Sequence, residues 1–142
     1  MEPVDPVVAM MEIAEGIRRR GETLDDSPFT GVAWDAAEGR LVVYRVPGNT
    51  EYDREVLSRA SAVVVVVLAD APRTFRENER MMRAIIDSPD LPIRVHAVHT
   101  RDHWSIVEVH AEGDLREAQR LLDARYGTGT VVVEQGVRQV RL

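Results

Sequence analysis

The residue types best suited to chemistry gather in one stretch of this chain. His96, His99, His103 and His110 are its only histidines, Asp102, Ser105 and Glu108 lie among them, and Glu112 follows two residues after the last. Imidazole is a common transition-metal ligand. In an extended strand, however, the odd spacing sends His96 and His99 to opposite faces, and His103 falls in a turn. No three histidines converge on that reading, and no H-E-x-x-H helix supplies a catalytic zinc site. His110-Ala111-Glu112 has the form of the first half of a zinc-deaminase signature, but the second half needs cysteines and the chain has none. Asp102, His103 and Ser105 are the residue types of a nucleophilic triad. Triads are assembled from separate segments, and no G-x-S-x-G elbow presents Ser105. Neither phosphate-binding glycine pattern occurs, and Gly127-Thr128-Gly129 follows a helix instead of opening one. These residues predict no catalytic site, no metal and no cofactor, so the chain reads as a non-enzyme.

The same stretch reads as a hairpin with one polar face. Ile93, Val95 and Ala97 alternate with Arg94 and His96, and Val107 and Val109 answer them in the following strand. Keeping those apolar sets on one side requires an odd loop, Arg101-Asp102-His103. That register pairs Val98 with Ile106, His96 with Glu108 and Arg94 with His110. With Trp104 as an aromatic anchor, the candidate interaction face is Arg94, His96, Val98, Trp104, Ile106, Glu108 and His110. The His96–Glu108 pair would respond to pH.

The surrounding elements form a repeated pattern of hairpin, helix and strand. Residues 1–28 read as an N-terminal helix, Pro6 to Arg20, stopped by Gly21 and followed by a linker. Residues 29–142 read as one α+β domain. Its first ββαβ unit covers about 29–70 and its second about 93–135, joined by a helix over 74–88 that opens on the capping box Thr74-Phe75-Arg76-Glu77. In the first unit a turn at Ala36-Ala37-Glu38-Gly39 pairs Asp35 with Arg40, Trp34 with Leu41 and Val32 with Val43. Thr50 and Asp53 open a helix with Tyr52, Val56 and Ala60 on its inner stripe. Ala62 to Ala69, with five consecutive valines, predicts a central strand covered on both faces. The first unit, with Trp34 and these valines, is expected to be the more buried half. In the second unit Asp114 and Glu117 start a helix carrying Leu115, Ala118, Leu121 and Leu122 inward, with Gly127 as its C-cap. Thr130 to Val133 closes the unit, and Val137 to Leu142 adds a short edge strand. The duplicated units predict ferredoxin-like sheets backed by helices, as one mixed sheet or two three-stranded ones.

Gly31-Val32-Ala33-Trp34-Asp35 followed by Gly39-Arg40-Leu41-Val42-Val43 resembles the start of the prosegment domains of secreted bacterial serine proteases, the alpha-lytic protease and streptogrisin group. The resemblance covers about Phe29 to Asp70. It implies small sheets backed by helices, with a sheet edge suited to pairing with a partner strand.

Composition narrows the function classes. At 142 residues the chain is long enough for a proper core without staples. A net charge of −6 argues against a general nucleic-acid surface. All 18 basic residues are arginine, consistent with a GC-rich bacterial genome. No apolar run is long enough for a transmembrane helix, and the first 20 residues lack a secretory pattern, so a cytoplasmic location is expected. The expected function is a protein-interaction domain, with a protein partner or a homodimer engaged through a sheet edge or the N-terminal helix. The alternative is a ferredoxin-like module that binds a small regulatory molecule.

Overall fold

The computed structural model describes residues 5–136. The protein is α+β, and the described residues form four helices and two three-stranded sheets backed by helices. The chain divides into two compact units between Glu77 and Asn78. Each unit contains the same arrangement: an antiparallel hairpin, then a helical crossover to a strand parallel to the second one. The edge strand expected at Val137 to Leu142 lies outside the described residues.

In the first unit, α1 (Pro6–Thr23) begins at Asp5, whose carboxylate accepts from the Val7 N–H at 2.9 Å, with Pro6 in the first turn. The helix runs past Gly21 to Thr23. Gly21 is therefore a contact and not a stop: a Cβ there would lie 2.2 Å from the Phe29 ring. Strands β1 (Phe29–Asp35) and β2 (Arg40–Arg45) pair in the predicted register, with Gly39 supplying the positive φ of the turn. Helix α2 (Thr50–Leu57) is capped by Asn49, which accepts from the Tyr52 N–H, so Thr50 is the first helical residue and Ala60 lies beyond the helix. Strand β3 (Val65–Asp70) follows. Ile17, Phe29, Leu41, Val43, Val56, Val64 and Val66 form the core, covered by α1 and α2 on one side of the sheet.

Two expectations about this unit are corrected. The strand order is β1-β2-β3, so the valine-rich strand is an edge and β2 is central. The valines alternate: Val64 and Val66 are buried, whereas Val63 and Val65 are 43% and 58% exposed. A β-branched run is favoured in a strand by its backbone fit as well as by burial, which is why it does not require cover on both faces. Trp34 pairs with Leu41 as expected, but at the hairpin end, where it is 38% exposed. The first unit is not simply the more buried half.

The end of β2 is fastened by Arg45, which is buried. Its Nε and Nη2 donate to the two Asp53 carboxylate oxygens at 2.7 and 3.0 Å, and its Nη1 donates to Asp70 Oδ1 at 2.6 Å. One guanidinium thus ties β2 to the start of α2 and the end of β3, a bidentate geometry that lysine lacks.

Helix α3 (Phe75–Ile86) opens on the predicted capping box: the Glu77 N–H donates to Thr74 Oγ1 and the Thr74 N–H to Glu77 Oε1. Phe75 packs on the first core, while Met81, Met82 and Ile85 pack in the second. Ile86, on the same helix, is exposed. The second unit continues with β4 (Ile93–Arg101), β5 (Ile106–Gly113), α4 (Leu115–Tyr126) and β6 (Val131–Gln135), in the order β4-β5-β6. Asp114 caps α4 and Gly127 ends it, as expected. Val107, Val109, Ala111, Leu122 and Val131 make the core with Ile85 and Leu91. Among the described residues, no helix is long and apolar enough to cross a membrane.

Candidate functional site

The polar face of β4, β5 and β6 concentrates the titratable groups of the second unit. Along β5, Val107, Val109 and Ala111 are buried in the core, so the alternate residues Ile106, Glu108, His110 and Glu112 line the opposite face. The register of β4 decides what joins them. His99 pairs with Glu108, Ala97 with His110, Arg94 with Glu112 and Arg101 with Ile106. The expected pairs of Val98 with Ile106, His96 with Glu108 and Arg94 with His110 do not form.

Two features account for the difference. The turn has four residues, Asp102 to Ser105, between Arg101 and Ile106, instead of the three expected. An irregularity between Val95 and Ala97 then leaves His96 without a partner across the ladder and restores Val95 to the core face. Val98 packs on the core, while Arg94, Ile106, Glu108 and His110 remain on the polar face. His96 Nε2 lies 3.2 Å from Glu112 Oε2 but is out of line for a hydrogen bond. Trp104 sits in the turn, its carbonyl accepting from Asn78 Nδ2 at 3.0 Å.

At the centre of the face is Glu108, buried although it lies on the side away from the core. His110 Nε2 lies 2.6 Å from its Oε1, and His99 Nε2 lies 3.5 Å from the same oxygen. Arg101 Nη1 approaches the other oxygen, Oε2, at 3.1 Å and also lies 3.4 Å from Glu134 Oε1 on β6. The two imidazole rings stack, with centroids 4.9 Å apart and planes inclined by 20°. Burial acts to raise the Glu108 carboxyl. The hydrogen bond to His110 and the charges of Arg101, His110 and His99 outweigh it and hold the group below the usual carboxylate range.

Sequence reasoning missed this juxtaposition because it depends on register. The Glu108-x-His110 spacing, two residues on one strand face, was visible. His99 joins only in the register set by a four-residue turn whose Asp102, His103 and Trp104 all have positive φ, at 51°, 56° and 65°. Glycine would have signalled such a turn, and none is present.

A second candidate is the outer edge of β3. The Ala71 N–H bonds Arg45 O on the β2 side, so strand alternation directs the backbone groups of Val66 and Leu68 outward. Among the described residues no strand pairs with that edge. The opposite situation holds at β6. There Gln119 of α4 donates to Val131 O at 2.7 Å and accepts from the Val133 N–H at 2.9 Å, occupying the outward backbone groups as a neighbouring strand would. A shallow, open apolar groove also runs along α1 over Val8, Met11 and Gly16, its lining among the described residues supplied by that one helix. Comparison with protein-family models, with curated proteins and with solved structures finds no match for this chain.

Proposed function

We propose that the protein is a non-enzymatic interaction domain in which two copies pair through the outer edges of their β3 strands. The observation that carries the reading is the outer β3 edge, with which no strand among the described residues pairs, flanked by the exposed side chains of Val63 and Val65. An edge of this kind is a template for strand addition, and β-branched side chains suit the extended geometry. The other edges carry devices that discourage pairing. Gln119 occupies β6, and β1 and β4 each contain a register irregularity. An edge meeting its own copy about a two-fold axis produces a self-complementary contact and a continuous six-stranded sheet. Strand pairing is also the mode that the resemblance of Phe29–Asp70 to protease prosegments implies.

Light scattering after size exclusion tests this directly. The wild-type chain is expected to elute as a dimer, and Val65→Lys, which places a charge on an already exposed position, as a folded monomer. A wild-type chain that stays monomeric at concentrations of roughly 100 μM, where a pair of even micromolar affinity would be mostly formed, overturns the proposal.

A further inference from the structure

We infer that the polar face of β4 and β5 is a binding site for a divalent transition-metal ion of the zinc class, ligated by His99 Nε2, Glu108 Oε1 and His110 Nε2. One donor atom from each of the three residues lies within 4.8 Å of the others. In a tetrahedral zinc site with bonds of about 2.0–2.1 Å, neighbouring donors lie about 3.4 Å apart. The His99–Glu108 separation of 3.5 Å already matches that spacing. The His110–Glu108 separation must open from 2.6 Å, and the two imidazole nitrogens must settle at the same spacing. Side-chain rotations on this scale leave the strands unmoved.

The donor set is that of a borderline-soft ion, two imidazoles and one carboxylate, which suits zinc or copper better than magnesium or calcium. The backbone preorganises it. Glu108 and His110 are two residues apart on one strand, and His99 is directly opposite Glu108 on the next. Arg101 engages Glu108 Oε2, leaving Oε1 toward the histidines, an outer partner of the sort that orients ligating carboxylates. Its positive charge works against a cation, and Glu134 at 3.4 Å from the same guanidinium nitrogen offsets that charge. His99 is half exposed, so solvent reaches the site and water can complete the coordination shell. This inference is independent of pairing through β3.

Equilibrium dialysis of the full chain against zinc is the test. One zinc per chain is expected, with His99→Ala, His110→Ala and Glu108→Gln each weakening binding roughly tenfold or more. His103→Asn is the control: it removes a histidine from the same hairpin, and asparagine tolerates the left-handed conformation at that position. It is expected to bind like the wild type. In the unaltered protein, zinc should shift the imidazole NMR signals of His99 and His110 and leave those of His103 in place, a readout that does not depend on any variant folding. Absence of stoichiometric zinc binding overturns the inference. So does binding that survives both histidine-to-alanine changes, or zinc that leaves the His99 and His110 signals unmoved.

Discussion

Burial pushes the Tyr52 phenol up to about 12, and the carboxylates of Asp53 and Glu55 add to the shift. An unfolded tyrosine titrates near 10, so the fold favours the neutral phenol. The associated stability is fully present below about pH 10 and is lost as pH rises through about 12. Denaturant titrations at about pH 9 and pH 11.5 should show an alkaline loss that Tyr52→Phe reduces, with the phenolate absorbance of Tyr52 appearing over the same interval. Arg45 makes a different prediction. Arg45→Met leaves Asp53 without its bidentate partner in a half-covered position, and should cost about 2–3 kcal/mol in chemical denaturation. Neither residue was conspicuous in the sequence. Arg45 was one arginine among 18, and its role depends on two acids 8 and 25 positions away. Tyr52 was read correctly as part of an inner stripe, but the carboxylates around its hydroxyl emerge only from the fold.

At the level of elements, amphipathic and capping signals carried furthest. The caps of α3 and α4 and the β1–β2 register from Val32 to the turn were legible because each is fixed within a few neighbouring residues. The β4–β5 register was not, since the strained turn and the irregularity at His96 move it by amounts that no local periodicity reveals. Asn78 of α3 is buried and holds that turn through the Trp104 carbonyl. Asn78→Ala should therefore destabilise the second unit by about 1–3 kcal/mol and increase amide exchange around the turn. Gln119 invites a parallel experiment. Its side-chain amide does the work of a fourth strand, and Gln119→Ala should speed exchange of the Val133 amide while α4 stays helical by circular dichroism.

For the molecule as a whole, the repeat seen in the sequence corresponds to two units of like topology whose edges are treated differently. The position of the five-valine strand was misread because continuous apolarity was taken to mean cover on both faces, whereas burial alternates from Val63 to Val66 because the core lies on one side of the sheet. The proposed pairing through β3 would make stability depend on mass action. The melting temperature should rise as protein concentration increases over a roughly hundredfold range, and Val65→Lys should remove that dependence.

The two hairpins also differ in how readily they can start. The turn before Gly39 closes with favourable local chemistry, as Asp35 Oδ1 accepts from the Glu38 N–H and its other oxygen meets Arg40 Nε. Asp102, His103 and Trp104 instead hold three successive left-handed residues, each costing about 1 kcal/mol or more. Such a tip cannot nucleate its own strands and must wait for α3 to collapse onto β5. The first sheet should consequently form early and the second late, with mutations around Asp102 to Ser105 changing the unfolding rate and hardly touching the folding rate.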